Sequence, residues 1–97
     1  MKYKLEYSSS FRRDSKKLIK QRKFSSDLLV GVLELLASDP FNAKLRTHKV
    51  TDRQGKAAWS SRVNSDIRIL WNYKSDGGLS LLLIARGGHS GGYNVYK

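Results

Sequence analysis

The sequence predicts an α+β fold: an N-terminal strand, a two-helix hairpin, then antiparallel strands forming a small twisted sheet, as a single domain over residues 1–97. Three observations carry this. Apolar residues alternate over residues 2–7, recur at helical spacing over residues 28–36, and alternate again from Trp59 before an unbroken apolar run. That order packs a helix hairpin on one face of a sheet. A chain of 97 residues buries a modest core, so no second lobe is expected.

In the stretch KYKLEY, Tyr3, Leu5 and Tyr7 face one way, and Lys2, Lys4 and Glu6 the other. This is the period of a half-buried strand. Ser8 to Ser10 offer N-caps for a helix over residues 11–23, whose apolar stripe is only Phe11, Leu18 and Ile19. After a turn at Arg22 to Phe24, Ser25 or Ser26 caps a second helix, with Asp27 near its positive end. Leu28, Leu29, Val32, Leu35 and Leu36 give this helix its apolar face, and Asp39-Pro40 ends it. Residues 41–56 show no clear period. A short alternating strand runs from Trp59 to Asn64. The next has Ile67, Ile69, Trp71 and Tyr73 on one face and Arg68, Leu70 and Asn72 on the other. Ser75 to Gly78 is a hairpin signal. Leu79 to Ala85 reads as a central strand covered on both faces.

Nineteen Lys and Arg against eight Asp and Glu leave a net charge of +11, which points to a polyanionic partner. The densest cluster is Arg12, Arg13, Lys16, Lys17, Lys20, Arg22 and Lys23, relieved only by Asp14; a second group is Lys44, Arg46, Lys49, Arg53 and Lys56. Nucleic acid is the expected contact. Membrane binding is not, because residues 11–23 lack the broad apolar face of an interfacial helix. The absence of cysteine removes disulfides and thiolate metal sites. No apolar signal segment or spanning stretch is present, and a cytoplasmic protein is expected.

With two distant histidines and no carboxylate pair at ligand spacing, no metal or other cofactor is expected. Metal-free cleavage of an RNA phosphodiester asks for a base at the 2′-OH, an acid at the departing 5′ oxygen, and cations around the phosphorane. His48, His89, Asp66 and Tyr93 offer the proton steps; Lys49, Arg62, Arg68 and Arg86 offer the charge. Alternation places Arg68 away from the face of Ile67 and Ile69, and Arg62 shares a strand face with Asn64. Arg62 and Arg68 equally suit solvent-facing positions paired with Asp66.

The pattern W-S-x-R-V-x-x-D-x-R-I in Trp59 to Ile69, followed by an apolar strand and G-x-H-x-x-x-Y in Gly87 to Tyr93, resembles the RelE/ParE toxin superfamily, closest to its YafQ-like branch. The resemblance spans about residues 2–95. It implies the toxin of a bacterial type II toxin–antitoxin pair, an endoribonuclease that cuts translated mRNA in the ribosome without metal. Its partners would be a cognate antitoxin, the ribosome and mRNA. By position, His89 resembles the catalytic C-terminal histidine and His48 a histidine ahead of the central strands. Asp66 resembles the carboxylate opening the fourth strand, Arg68 the arginine that stabilises transition-state charge, and Tyr93 the aromatic that positions the mRNA base. Arg12, Arg13, Lys16, Lys17 and Lys20 would grip ribosomal RNA by its phosphates.

Two positions depart from the pattern. Arg62 stands where the branch has a histidine, and the arginine expected four residues before the C-terminal histidine falls on Ala85. Arg86 is one position off, which on a strand is the opposite face unless a bulge or the glycines re-aim it. The same fold also serves ParE-like poisons of DNA gyrase, which have no need of the set His48, Asp66, Arg68 and His89. A basic RNA-binding module without toxicity is the third reading.

Overall fold

A computed structural model of the chain describes residues 2–51 and 55–86. Its elements are β1 (Leu5–Tyr7), α1 (Ser9–Lys20), α2 (Ser26–Ser38), a 3₁₀ turn (Ala43–Leu45), β2 (His48–Thr51), β3 (Ala57–Arg62), β4 (Ile67–Tyr73) and β5 (Leu79–Arg86). The five strands form one sheet in the order β1-β5-β4-β3-β2. Strands β2 to β5 pair antiparallel, as expected of a meander. β1 joins parallel to β5, so the sheet is mixed. No helix among the described residues is long and apolar enough to cross a membrane.

β1 is shorter than the alternation of residues 2–7 suggests. The Tyr3 N–H donates to Ala37 O at the end of α2, at 2.6 Å, and contact with the sheet begins only at Lys4, whose carbonyl accepts the Leu79 N–H at 2.8 Å. Ser8 caps α1 by accepting the Phe11 N–H at 2.9 Å, and Ser25 caps α2 by accepting the Leu28 N–H at 3.0 Å. α1 stops at Lys20, three residues before the end read from propensity. Arg22 turns left-handed there, with φ 60°. The Lys23 N–H reaches Leu18 O and the Arg22 N–H reaches Ile19 O, each at 2.9 Å. This crossed pair is the Schellman closure, which normally uses glycine at the left-handed position.

Helix α2 buries Leu29, Val32, Leu36 and Ala37, while Leu28 is exposed at the rim. Leu29, Val32 and Leu36, with Phe11 of α1, pack on Ile67, Ile69, Trp71, Leu79, Leu81 and Ile84 of the sheet. On the sheet's other face, Leu70 and Ala85 are buried with Val50 and Leu83 against them. β5 therefore has apolar partners on both faces, as its continuous run predicts.

Residues 41–56, aperiodic in sequence, hold the 3₁₀ turn and the edge strand β2. A polar relay ties their start to the core. The Trp71 indole N–H donates to Ser61 Oγ at 2.8 Å, and that oxygen lies 2.7 Å from Thr47 Oγ1. Thr47 in turn donates to Pro40 O at 2.6 Å. Because the indole can only donate and the carbonyl only accept, the Ser61 hydroxyl donates to Thr47.

The β4–β5 register shifts by one residue beside Leu70 and Trp71: Trp71 pairs with Leu81 but Leu70 pairs with Leu83. Leu82 is thus the extra residue of a bulge. Simple alternation from the inward Leu79 would turn Arg86 outward. After the bulge, Leu83 and Ala85 face away from the helices, and Ile84 and Arg86 face them.

Candidate active site

The sheet face away from the helices collects part of the predicted set. Arg62, last in β3, pairs across the strands with Arg68 of β4, and Arg68 pairs onward with Ala85 of β5. The next row runs from His48 through Ser60 and Leu70 to Leu83. Hence His48, Arg62 and Arg68 share one face, although His48 comes from a segment without readable period. Two arginines directly opposite one another repel, an arrangement that an anion between them would relieve. Arg68 is partly neutralised by backbone: Nη1 donates to Asn64 O at 2.7 Å and to Ile67 O at 3.3 Å.

His48 is exposed at the start of the edge strand. Its Nδ1 is 2.9 Å from Arg46 O. A carbonyl only accepts, so Nδ1 carries the proton and Nε2 is the basic nitrogen of the neutral ring.

Two sequence expectations, those for Asn64 and Asp66, are corrected here. Asn64 does not share a strand face with Arg62, because β3 ends at Arg62. Asn64 instead builds the β3–β4 turn, accepting the N–H groups of Asp66 and Ile67 at 2.9 and 2.8 Å and donating to Lys23 O at 3.0 Å. Asp66 pairs with neither Arg62 nor Arg68; its carboxylate accepts from Arg86 Nε at 2.9 Å. Lys49 follows His48 directly and therefore faces the helix side, in register with Trp59. Arg86 lies opposite Ile67, also on the helix side, and Ala85 occupies the place beside Arg68. Arg86 is thus on the opposite face from the arginine pair, as its one-position offset from Ala85 predicts.

Arg86 instead borders a groove of about 250 Å³ between α1 and β5, lined by Asp14, Lys17, Leu18 and Gln21 from the helix and Ile84 and Ala85 from the strand. Arg12, Arg13, Lys16, Lys17 and Lys20 are all exposed on α1. Arg13 pairs with Asp14 at 3.3 Å, and the Arg12 guanidinium sits 5.8 Å from the Tyr7 ring centre. Basic residues thus occupy both sides of the sheet: α1 with Arg86 on one, His48 with Arg62 and Arg68 on the other. His89, Tyr93 and Arg53 lie outside the described residues. Among the described residues, no three His, Asp or Glu side chains gather as metal ligands.

A parallel N-terminal strand, a helix hairpin on one face and a four-strand meander define the α+β class of small RelE-like folds. The chain has this fold. It superimposes on YafQ from E. coli with a TM-score of 0.68 at 22% identity, covering 87% of this chain and 92% of that one. A metal-bound toxin from Helicobacter pylori matches with a TM-score of 0.66 at 25% identity, covering 89% and 94%. RelE of the archaeal RelE–RelB complex from Pyrococcus horikoshii matches with a TM-score of 0.70 at 15% identity, covering 93% and 100%. All three are RelE-family toxins. No protein-family model matches the chain, and no curated protein matches its sequence.

Proposed function

We propose that this chain is the toxin of a type II toxin–antitoxin pair, and that it is a ribosome-dependent endoribonuclease cutting translated mRNA. The observation that carries the reading is the cross-strand pair Arg62 and Arg68 on the face that also bears His48, within a RelE-like fold. YafQ has also been solved within a DinJ–YafQ toxin–antitoxin complex, which supports an antitoxin partner for this chain.

In this reading the arginine pair holds the scissile phosphate and offsets the charge that builds on the phosphorane. His48 Nε2 acts in it as general base, and His89 serves as the second proton-transfer group. Tyr93 positions the base next to the cut. Asp66 takes a different role from the one its sequence position implies. Engaged by Arg86, it acts as a positioning residue that fixes the β3–β4 turn from which Arg68 emerges. The exposed cations of α1 hold ribosomal RNA by its phosphates.

The deciding experiment maps mRNA cleavage sites on translating ribosomes after induction, for wild type and for His89→Ala. Codon-linked cuts with wild type and none with a folded His89→Ala protein are expected. Equal cutting by both would remove His89 from the catalytic set. DNA-damage signalling without mRNA cleavage would replace the whole reading with gyrase poisoning.

A further inference from the structure

A chain of aromatic rings crosses the helix-side face near β2 and β3. Phe41 stands edge-on to Trp59, with centroids 5.0 Å apart and planes at 85°. Trp59 stacks on Trp71 at 6.2 Å and 27°. Phe41 also meets Trp71 at 6.3 Å. Trp71 is fully buried and anchors the group; Trp59 is half-buried, and Phe41 is 50% exposed. A phenylalanine so exposed costs apolar hydration unless something covers it.

Phe41 is not there through looseness of its loop. The relay from Trp71 through Ser61 and Thr47 to Pro40 O clamps the residue before it. Asn42 follows directly: its N–H donates to Asp39 O at 3.0 Å, and its side-chain oxygen accepts from Lys44 N at 2.9 Å. The ring is therefore held out in a fixed position, as a binding platform requires.

The charge beside the rings is positive. Lys49 shares the strand face of Trp59, lies in register with it, and is exposed. Asp39 is the nearby acid in sequence, and its carboxylate accepts from the Asn42 amide at 3.2 Å. Protein-binding patches combine aromatics with a depletion of lysine. Aromatics interleaved with lysines are what single-stranded nucleic acid uses, through base stacking and phosphate contact.

β2 is the sheet edge, and its consecutive residues His48 and Lys49 point to opposite faces. A strand of RNA lying on Arg62, Arg68 and His48 needs only to round this edge to reach Lys49, Trp59 and Phe41. We propose that Phe41 and Trp59, with Lys49 beside them, form a base-stacking subsite for single-stranded RNA that passes round the β2 edge from the arginine face. The inference rests on the reading of this chain as an RNA-acting protein and adds a second contact surface to it.

The test measures binding of a short oligouridylate with 2′-O-methyl sugars, which cannot be cut, by fluorescence anisotropy and by quenching of tryptophan emission. Trp71 is fully buried, so stacking quenches Trp59. Phe41→Ala and Phe41→Leu are expected to weaken binding roughly five- to hundredfold, the cost of losing one stacked base, whereas Phe41→Tyr retains it. Arg62→Ala should weaken binding while leaving the quench at saturation intact. If every Phe41 variant binds as wild type does, the subsite is overturned and the proposed function stands. If Phe41→Leu binds RNA normally and only Phe41 variants lose a protein partner, the patch docks protein and the inference is overturned. If wild type binds no oligonucleotide, the subsite is overturned, while the ribosome-dependent reading is decided by the cleavage map.

Discussion

Arg62 and Arg68 illustrate how one residue pair can be costly for folding and useful for chemistry. Directly opposed like charges on neighbouring strands destabilise by a few tenths to about 1 kcal/mol. Arg62→Ala should therefore leave the melting temperature unchanged or slightly higher, while mRNA cleavage falls on the order of a hundredfold, as when one transition-state donor is lost. Parallel thermal melts and cleavage assays check both halves; a large loss of stability would make Arg62 structural. Asp76 behaves oppositely. Its carboxylate is held below the ordinary 3.8, chiefly by the Gly78 N–H at 2.9 Å and then by Lys74 at 3.4 Å. A depressed carboxylate adds stability above its unfolded value and loses it as pH falls through the folded one. The melting-temperature gap between wild type and Asp76→Asn should thus be steady from neutral pH to about 4 and close below it. A gap that persists in stronger acid would assign the effect to the hydrogen bond rather than the charge.

Among the elements, the boundaries read least well in sequence are those set by backbone geometry that the local residues do not favour. Propensity carries α1 through Lys23, yet Arg22 accepts a left-handed conformation and closes the helix at Lys20. No glycine marks the spot. Replacing Arg22 with glycine should relieve the strain of a side chain there, raising stability by about 0.5–1 kcal/mol. In a domain of this size that is a few degrees in melting temperature, measurable by calorimetry. A fall instead would mean that the arginine side chain contributes more than its backbone costs. β2 leaves no mark in the sequence for a related reason: at the sheet edge only Val50 of its four residues is even half-buried, so no apolar alternation records it. The N-caps at Ser8 and Ser25, by contrast, were legible because their chemistry is local.

At the scale of the molecule, the charge of +11 is spread over both faces of the sheet rather than concentrated in one patch. α1 presents Arg12, Arg13, Lys16, Lys17 and Lys20 on the helix side, away from Arg62 and Arg68. This division suits a protein that holds a large RNA scaffold with one surface and a reacting strand with another. Affinity for ribosomes should then fall steeply with salt, because each phosphate contact releases counterions. A Lys16→Gln, Lys20→Gln variant should bind more weakly with a log–log salt slope shallower by roughly 1–2, yet cut ribosome-bound message with the same site preference. An unchanged slope in ribosome-binding titrations would take these lysines out of the interface.

The sequence by itself determined the order of the two helices and of every strand but β2, the helix starts, the two-faced strand β4 with Arg68 turned from the core, and the excess of positive charge. These depend on short-range periodicity and composition, which the chain carries locally. Tertiary structure decided which candidate residues meet. His48 joined the arginine face only because β2 pairs with β3 in that register. Asp66 found Arg86 across 20 residues of sequence. The offset of Arg86 from Ala85 predicted only that the two face oppositely; Leu79 to Ala85 is almost uniformly apolar and carries no phase, so the single bulge at Leu82 decides which of them lies beside Arg68.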